Sequence, residues 1–161
     1  GGHLAGELLK SMAGFSATYV NYRGTGPAII ALLGNEVQFM FAGLLPAQVQ
    51  IKANKLRAVA VTSAKRSAFI PDLPTVAESG LPGFEVIGWY GVLAPAGTPP
   101  SIVRRLNAEI VKILGLPDIR ERIAGQVAEV VGDTPAQFEA FLRADVARWA
   151  PVIKASGARA E

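Results

Sequence analysis

The sequence contains no cysteine and only one histidine, His3. The lack of cysteine excludes a disulfide framework, a zinc site with thiolate ligands and a thiol nucleophile. A single histidine cannot build a histidine-rich metal centre, so we expect neither a metal ion nor a cofactor. No apolar run approaches the roughly 18 residues that a membrane span requires. Residues 1–15 lack the basic start and apolar block of a signal peptide.

An excess of charge of one sign is also missing. The 16 basic and 13 acidic side chains give a formal net charge of +3, and the two signs are interspersed along the chain. A nucleic-acid-binding surface needs a stripe of basic residues, often with aromatic residues between them. The sequence has no such stripe, so we expect a mildly basic surface and no nucleic-acid partner.

Apolar residues make up 50% of the 161 positions, which is typical of a chain with a sizeable buried core. In the first part of the chain, segments rich in strand formers alternate with segments of helical spacing. Apolar strands separated by helices are typical of a parallel sheet that helices cover. The pattern predicts helices over 4–12, 27–33 and 46–54 and strands over 17–22, 37–41 and 56–61.

The middle of the chain has a different pattern. Residues 62–83 are rich in proline and glycine and are predicted as connecting structure. Residues 84–93 predict one long strand that contains Gly88 and Gly91. Glycine inside a strand weakens it and often marks a bend or a crossing between layers. Trp89 is either a core residue of this strand or a wall of a ligand pocket, and a core position is the commoner role.

The last third of the chain is predicted to be mostly helical. Thr98 is a candidate N-cap of a helix that ends at Gly115. A short helix over 117–124 and a strand over 127–131 follow. Thr134 begins a capping box with proline at its first helical position, and the apolar spacing beyond it predicts a long closing helix.

The turn after the first predicted strand, Tyr22–Pro27, is the main candidate binding site. Gly24 and Gly26 allow the backbone to approach a ligand closely, and the following helix presents unpaired N–H groups and its positive dipole end. Thr25 adds a hydroxyl donor, and Arg23 adds a charge-assisted donor for a carboxylate. The alternative interpretation is that the glycines only make a tight turn, with Arg23 in solvent.

One turn cannot hold a small ligand alone. A helix terminus contributes about 0.3–1 kcal/mol, whereas micromolar binding needs about 8 kcal/mol. Other loops at the carboxyl edge of the sheet must therefore converge on the same place. Acidic residues are scarce in residues 1–63, with only Glu7 and Glu36, which suits an anionic ligand. The further candidates, small or hydroxyl residues that follow the next two strands, are Ala42, Gly43, Thr62 and Ser63.

The sequence offers little for catalysis. The Tyr22–Pro27 turn lacks both the G-x-G-x-x-G pattern of dinucleotide sites and the Gly-Lys-Ser/Thr ending of a phosphate-binding loop. No G-x-S-x-G turn is present to partner His3 as a general base. The carboxylates of residues 1–63 form no close pair and no cluster with metal-ligand spacing. We therefore expect a binding protein, with an enzyme on the same scaffold or the ligand-sensing domain of a regulator as alternatives.

Two blocks of the sequence are distinctive: Pro74-Thr-Val-Ala-Glu-Ser-Gly80 and Pro95-Ala-Gly-Thr-Pro99. Together with other segments in the same order, they resemble the periplasmic solute-binding proteins of tripartite tricarboxylate transporters, known as the Bug family. The resemblance covers essentially the whole chain. The other matching segments are His3–Lys10, Tyr22–Ala28, Lys55–Ser63, Arg66 and Trp89.

The resemblance implies an α/β fold of the type II periplasmic-binding-protein kind. In that fold two domains, with mainly parallel sheets covered by helices, hold a ligand cleft between them. Residues 1–86 would be most of the second, ligand-facing domain. Residues 87–161 would be the crossing strand and the C-terminal part of the first domain. Family members are about twice as long, so the chain resembles the C-terminal portion of one.

The resemblance also implies a function. Family members bind small organic anions (di- or tricarboxylates, aromatic acids or amino acids) in the periplasm and deliver them to a membrane permease. Without its neighbour, a second-domain sheet exposes apolar surface, so we also expect either self-association of the chain or a partner piece outside it. The predicted ligand-binding residues are Tyr22, Arg23, Gly24, Thr25, Gly26, Ala42, Gly43, Thr62 and Ser63.

Overall fold

The computed structural model describes residues 1–157. These residues divide into two compact units, of which the first consists mainly of Gly1–Gly88 and the second of Trp89–Ala155. The described part of the chain contains six α-helices, three in each unit. The sequence predicts all six, because helix periodicity and helix-stop signals are local features of the chain.

Each helix of the first unit follows a glycine. Helix α1 spans Gly2–Ala13, α2 spans Thr25–Leu33 and α3 spans Leu44–Lys52. Helix α1 ends at Gly14 as predicted, and the φ of 69° at this residue is a left-handed conformation that glycine adopts at little cost. Pro27 is the third residue of α2 rather than the first, because the helix already begins at Thr25.

Each helix of the second unit begins with proline. Helix α4 spans Pro100–Leu114, α5 spans Pro117–Gly125 and α6 spans Pro135–Ser156. Proline suits the first turn because its φ is already helical and its missing N–H would have no partner there. The prediction that Thr98 caps α4 is wrong, since Pro99 holds that position and the Thr98 hydroxyl donates locally to a carbonyl oxygen.

The capping box predicted at the start of α6 is confirmed. The Gln137 N–H donates to the Thr134 hydroxyl oxygen at 3.3 Å, and the Thr134 N–H donates to the Gln137 side-chain oxygen at 3.0 Å. These reciprocal bonds satisfy N–H groups that an isolated helix end leaves unpaired. They fix where the long closing helix begins.

The predicted strands are the main disagreement between sequence and structure. None of the five segments, 17–22, 37–41, 56–61, 84–93 and 127–131, forms a strand within residues 1–157. A strand is defined by hydrogen bonds to a partner, whereas strand-forming composition reports only a fit to a pleated, half-buried surface. These segments have the composition of strands, but they do not form the hydrogen-bonded ladders that the sequence predicts.

Parallel pairing does begin at one place in the first unit. The Val61 N–H donates to the Pro74 carbonyl oxygen, and the Val76 N–H donates to the Val61 carbonyl oxygen, each at 2.9 Å. On the other side, the Val86 N–H donates to the Thr62 carbonyl oxygen at 2.8 Å. The end of the predicted 56–61 strand therefore lies between two neighbours, with two hydrogen bonds to the first and one to the second.

The core of the first unit is built around aromatic rings. Phe84 is only 1% exposed, and its ring stacks on Phe41 with 6.5 Å between centroids. Phe41 contacts Phe39 at 6.2 Å, and Phe39 contacts Phe15 at 6.5 Å. These rings connect two of the predicted strand segments, 37–41 and 84–93, and Phe15 lies just before a third. The buried residues of this unit are Ala5, Ile29, Ala31, Thr75 and Phe84.

The second unit is held by contacts between its first residues and α6. The Trp89 ring lies edge-on to Phe138 and Phe141, at 5.6 Å from each, and its indole N–H donates to Asp145 at 3.2 Å. A Cβ at Gly91 would lie 2.3 Å from the end of the Phe138 ring. Glycine at position 91 therefore permits a close approach of α6, and Trp89 is a packing residue here.

A short polar corner also stabilises the first unit. Thr75 is fully buried, and its hydroxyl oxygen accepts the Glu78 N–H at 3.0 Å while Glu78 accepts the Thr75 N–H at 2.8 Å. Arg66 forms an ion pair with the same carboxylate at 3.0 Å. The backbone N–H of Thr75, and after it the hydrogen bond and charge of Arg66, lower the pKa of Glu78, and partial desolvation opposes them.

We expect Glu78→Gln to make the first unit less sensitive to acid. A carboxyl whose pKa is lowered by folding stabilises the protein above its unfolded pKa, and that stabilisation disappears as the pH falls through the folded pKa. The urea midpoint of the parent should therefore fall more steeply than that of the variant between about pH 5 and pH 3. The control is exposed Glu129→Gln. Parallel curves for the parent and Glu78→Gln would contradict this account.

Candidate functional site

The turn that precedes α2 has a backbone conformation that only glycine adopts readily. Gly24 has φ 105° and ψ 173°, and its N–H donates to the Tyr22 carbonyl oxygen at 2.8 Å. Helix α2 begins at the next residue. The N–H groups of Thr25 and Gly26 then belong to the first helical turn, where no carbonyl of the same helix can accept them. No side chain caps this helix end.

All three helices of the first unit begin without a side-chain cap. The N-cap residues are Gly1 for α1, Gly24 for α2 and Gly43 for α3, and none of them supplies a side-chain hydrogen bond. Serine, threonine, aspartate or asparagine at these positions would satisfy one N–H group of each helix. Glycine leaves these N–H groups and the positive dipole ends available to an external anion.

A cavity of about 950 Å³ lies in the first unit, and two of these helix starts line it. Gly1 and Gly2 contribute from α1, while Tyr22, Gly24 and Thr25 contribute from the predicted turn. The structure therefore brings three of the nine predicted binding residues together with the start of α1. The other walls of the cavity are one face of α1 and the segments 15–20 and 36–41.

The other six predicted residues do not line this cavity. Ser63 donates its hydroxyl to the Lys65 carbonyl oxygen at 2.6 Å, and the Thr62 carbonyl oxygen accepts a backbone N–H. The loop at Thr62 and Ser63 thus bonds to backbone groups in the described residues. The exposed positions among the six are Arg23, Gly26, Ala42 and Gly43.

Two acidic residues lie near the predicted turn. Glu7 and Glu36 are the only acidic residues before position 64, and both line the cavity. The Glu7 carboxylate is paired with Lys10 at 2.9 Å and lies 3.7 Å from the His3 ring. The charges of Glu7 and Lys10 therefore cancel on this face of α1. The spacing of Glu7 and Lys10 along the helix could be predicted from the sequence. That this face of α1 forms a wall of the cavity could not.

His3 has a packing role in this arrangement. Its ring stacks on Tyr19, with 3.9 Å between centroids and 9° between planes. Within residues 1–157, no three His, Asp or Glu side chains group as a metal ion requires. In the same residues, no helix combines the length and the apolar content needed to cross a bilayer.

We expect Gly24→Ala to strain the turn and Gly26→Ala to be tolerated. A Cβ at either position meets no atom within 4 Å, so the two variants differ only in backbone conformation. At Gly24 the φ of 105° costs a non-glycine residue about 1–3 kcal/mol. At Gly26, inside α2, alanine has the higher helix propensity. Urea unfolding measures the difference, and equal midpoints for the two variants would contradict the observed turn.

Comparison with protein families matches residues 1–158 to the tripartite tricarboxylate transporter family receptor, TctC. The chain belongs to this family. The BugT protein of Bordetella pertussis (strain Tohama I) is 36% identical over 157 residues, which are 98% of this chain and 48% of BugT. The predicted family is therefore confirmed.

Solved structures show the same relationship. The chain is similar to Rpa4515 of R. palustris with adipate, with a TM-score of 0.83 and 36% identity over 97% of this chain and 52% of that one. It is similar to the periplasmic binding protein BugD, with a TM-score of 0.80 and 38% identity over 97% of this chain and 53% of BugD. It is also similar to MatC of Rhodopseudomonas palustris with bound malate, with a TM-score of 0.78 and 31% identity over 94% of this chain and 53% of MatC. The fold is that of this group of periplasmic binding proteins. The chain spans about half the length of BugT and of these structures.

Proposed function

We propose that residues 1–86 of this chain supply most of the ligand-contacting lobe of a solute-binding protein that captures a small carboxylate. The observation that carries the proposal is the uncapped start of α2 beside Gly24, in a chain of the TctC family. Relatives of similar structure hold adipate and malate, which are both dicarboxylates. Backbone N–H groups at a helix start bind carboxylate oxygens well, because the donors converge and the dipole favours negative charge.

Each part of the turn has a role in this proposal. The N–H groups of Thr25 and Gly26 donate to one carboxylate oxygen pair, and the Thr25 hydroxyl adds a further donor. Arg23, which is exposed beside them, attracts the anion from solvent. Gly24 keeps the approach open because it has no side chain. Tyr22 forms the adjacent wall.

The remaining predicted residues belong to the periphery of the proposed site. Gly43 begins α3 in the same uncapped manner as Gly24 begins α2, with Ala42 before it, and supplies a second set of N–H donors. Thr62 and Ser63 follow the predicted third strand at the same edge of the sheet. We place these four residues around the ligand in the closed protein.

A second lobe must supply the rest of the binding free energy. A partly buried helix start contributes up to about 2 kcal/mol, and even millimolar binding needs about 4 kcal/mol. We therefore propose two α/β domains that close on the ligand and exclude water. Residues 1–86 form most of the second domain, and residues 87–161 form the crossing strand and part of the first. The segments predicted as strands pair into parallel sheets in that assembly.

The proposed partners and location come from the family. The TctC family model describes receptors of tripartite tricarboxylate transporters, and BugD is a periplasmic binding protein. We propose that the protein works in the periplasm and passes its ligand to the membrane permease of such a transporter. The neighbours of known structure are binding proteins, and the role proposed here contains no catalytic step.

Calorimetric titration of the intact protein with malate and adipate tests this proposal. The matched ligands are the diamides of the same acids, which keep the size but lack the negative charge. We expect micromolar binding of at least one acid and no detectable binding of its diamide. Equal binding of acid and diamide, or no binding of any small di- or tricarboxylate, aromatic acid or amino acid, would refute the proposal.

A further inference from the structure

We infer that Arg66 is a positioning residue for ligand capture, and that it acts by holding the loop of residues 62–66 in one conformation. This role rests on the proposed function, in which Thr62 and Ser63 lie around the ligand. Arg66 acts through these two residues and does not itself contact the ligand. The turn of residues 74–79 supplies the fixed surface against which the loop is held.

The backbone fixes the first end of the 62–66 loop. The Val61 N–H donates to the Pro74 carbonyl oxygen and the Val76 N–H donates to the Val61 carbonyl oxygen, which makes a parallel bridge to the 74–79 turn. The Thr62 carbonyl oxygen accepts the Val86 N–H at 2.8 Å. None of these bonds involves a side chain, so a substitution at the other end of the loop leaves them in place.

Arg66 fixes the second end of the loop to the same turn. Its Nε donates to both carboxylate oxygens of Glu78, at 3.0 and 3.2 Å, and its Nη1 donates to the Pro71 carbonyl oxygen at 3.4 Å. Glu78 is held in turn, because it accepts the N–H of fully buried Thr75 at 2.8 Å. The carboxylate is therefore a fixed anchor for the arginine.

The exposure of this ion pair favours a role in conformation over a role in stability. The side chains of Arg66 and Glu78 are 48% and 47% exposed. An exposed pair contributes little to folding, because water solvates both charges and salt screens them. Without the pair, however, only the first end of the 62–66 loop would be held. A segment held at one end gains conformational freedom.

The loop carries hydrogen-bond donors suited to a carboxylate. Within residues 1–157, the N–H groups of residues 62–66 and the Thr62 hydroxyl donate to no other group. The Ser63 hydroxyl is engaged inside the loop, at 2.6 Å from the Lys65 carbonyl oxygen. Donors on an ordered loop bind an anion more tightly than donors on a mobile one, because less entropy is lost on binding.

The variant Arg66→Gln tests the inference in the intact protein with both lobes present. The matched control is Arg57→Gln, at an exposed arginine of the same unit that bonds to no other side chain within residues 1–157. Each variant removes one positive charge, so the general attraction of an anion is lowered in both. Only Arg66→Gln releases the loop.

Two measurements follow the release of the loop. Without ligand, we expect the ¹⁵N order parameters of residues 63–65 to fall from about 0.85 to below about 0.6 in Arg66→Gln. With malate or adipate as the probe, we expect the dissociation constant to rise by at least about tenfold. The urea midpoints of Arg66→Gln and Arg57→Gln should be close, which a purely structural role of Arg66 would not allow.

The variant Arg66→Lys measures rescue. Lysine keeps the charge and can pair with Glu78, but it lacks the planar geometry that lets arginine reach Pro71 as well. Both the order parameters and the affinity of Arg66→Lys should therefore lie between those of the parent and of Arg66→Gln.

Three results would overturn the inference. The first is unchanged order parameters in Arg66→Gln. The second is a mobile loop that binds malate and adipate as tightly as the parent does. The third is an equal loss of affinity in Arg57→Gln, since charge alone would then be the cause. A parent that binds neither acid would count against the proposed function, and the order parameters, measured without ligand, would still decide whether Arg66 orders the loop.

Discussion

Replacing Thr25 by aspartate is expected to weaken dicarboxylate binding by at least about 100-fold without destabilising the protein. The new carboxylate would lie at the first residue of α2, beside the N–H groups that we assign to the ligand. Two like charges about 4 Å apart repel by about 4 kcal/mol at the effective dielectric of a protein surface. A hundredfold loss requires only about 2.8 kcal/mol, so partial screening still leaves the effect large.

The free energy of unfolding of Thr25→Asp should rise, whereas its affinity for the ligand falls. An acidic side chain in the first turn of a helix interacts favourably with the dipole, by about 0.3–1 kcal/mol. The control is Ser101→Asp, at the second and exposed position of α4, which gains the same interaction in the other unit. Calorimetry with malate and urea unfolding measure the two effects. Unchanged malate affinity in Thr25→Asp would contradict the assigned site.

Replacing Phe84 by alanine is expected to lower the free energy of unfolding of the first unit by about 3–5 kcal/mol. Phe84 is 1% exposed and stacks on Phe41, so its removal leaves a cavity in the aromatic chain that joins the predicted strands. Few other side chains of this unit are buried, which makes a single large ring a major part of its core. A loss of this size approaches the whole stability of a small unit.

Circular dichroism during urea unfolding is the measurement for Phe84→Ala. Both tryptophans, Trp89 and Trp149, lie in the second unit, so their fluorescence does not report on this change. The control is Phe69→Ala, because this ring is already 39% exposed and its removal leaves a smaller gap. Equal losses in the two variants would show that Phe84 is not the centre of the core.

Helices could be predicted from this sequence because their hydrogen bonds are local. A glycine stop such as Gly14 and the capping box at Thr134 act within four residues of the helix end. A strand depends on a partner elsewhere in the chain. The segment 37–41 has the composition of a strand, yet no neighbouring segment pairs with it within residues 1–157.

The residues of the candidate site could likewise be predicted only where the signal is local. Gly24 and Thr25 were predicted because a glycine turn before a helix is a local signal with a known consequence for backbone N–H groups. The sequence did not predict that Glu7 and Glu36 line one cavity, because 29 positions separate them and only tertiary structure brings them together. Ser63 was predicted from its hydroxyl and its place after the third predicted strand, and that hydroxyl donates to the neighbouring backbone.

The proposed function requires the start of α2 to receive a carboxylate. Titration of the ¹⁵N-labelled intact protein, with both lobes present, against malate tests this requirement through its amide resonances. We expect saturable shifts at Thr25 and Gly26, none of which the diamide of malate reproduces. Resonances of Thr25 and Gly26 that stay fixed while malate shifts other amides would refute the proposed site.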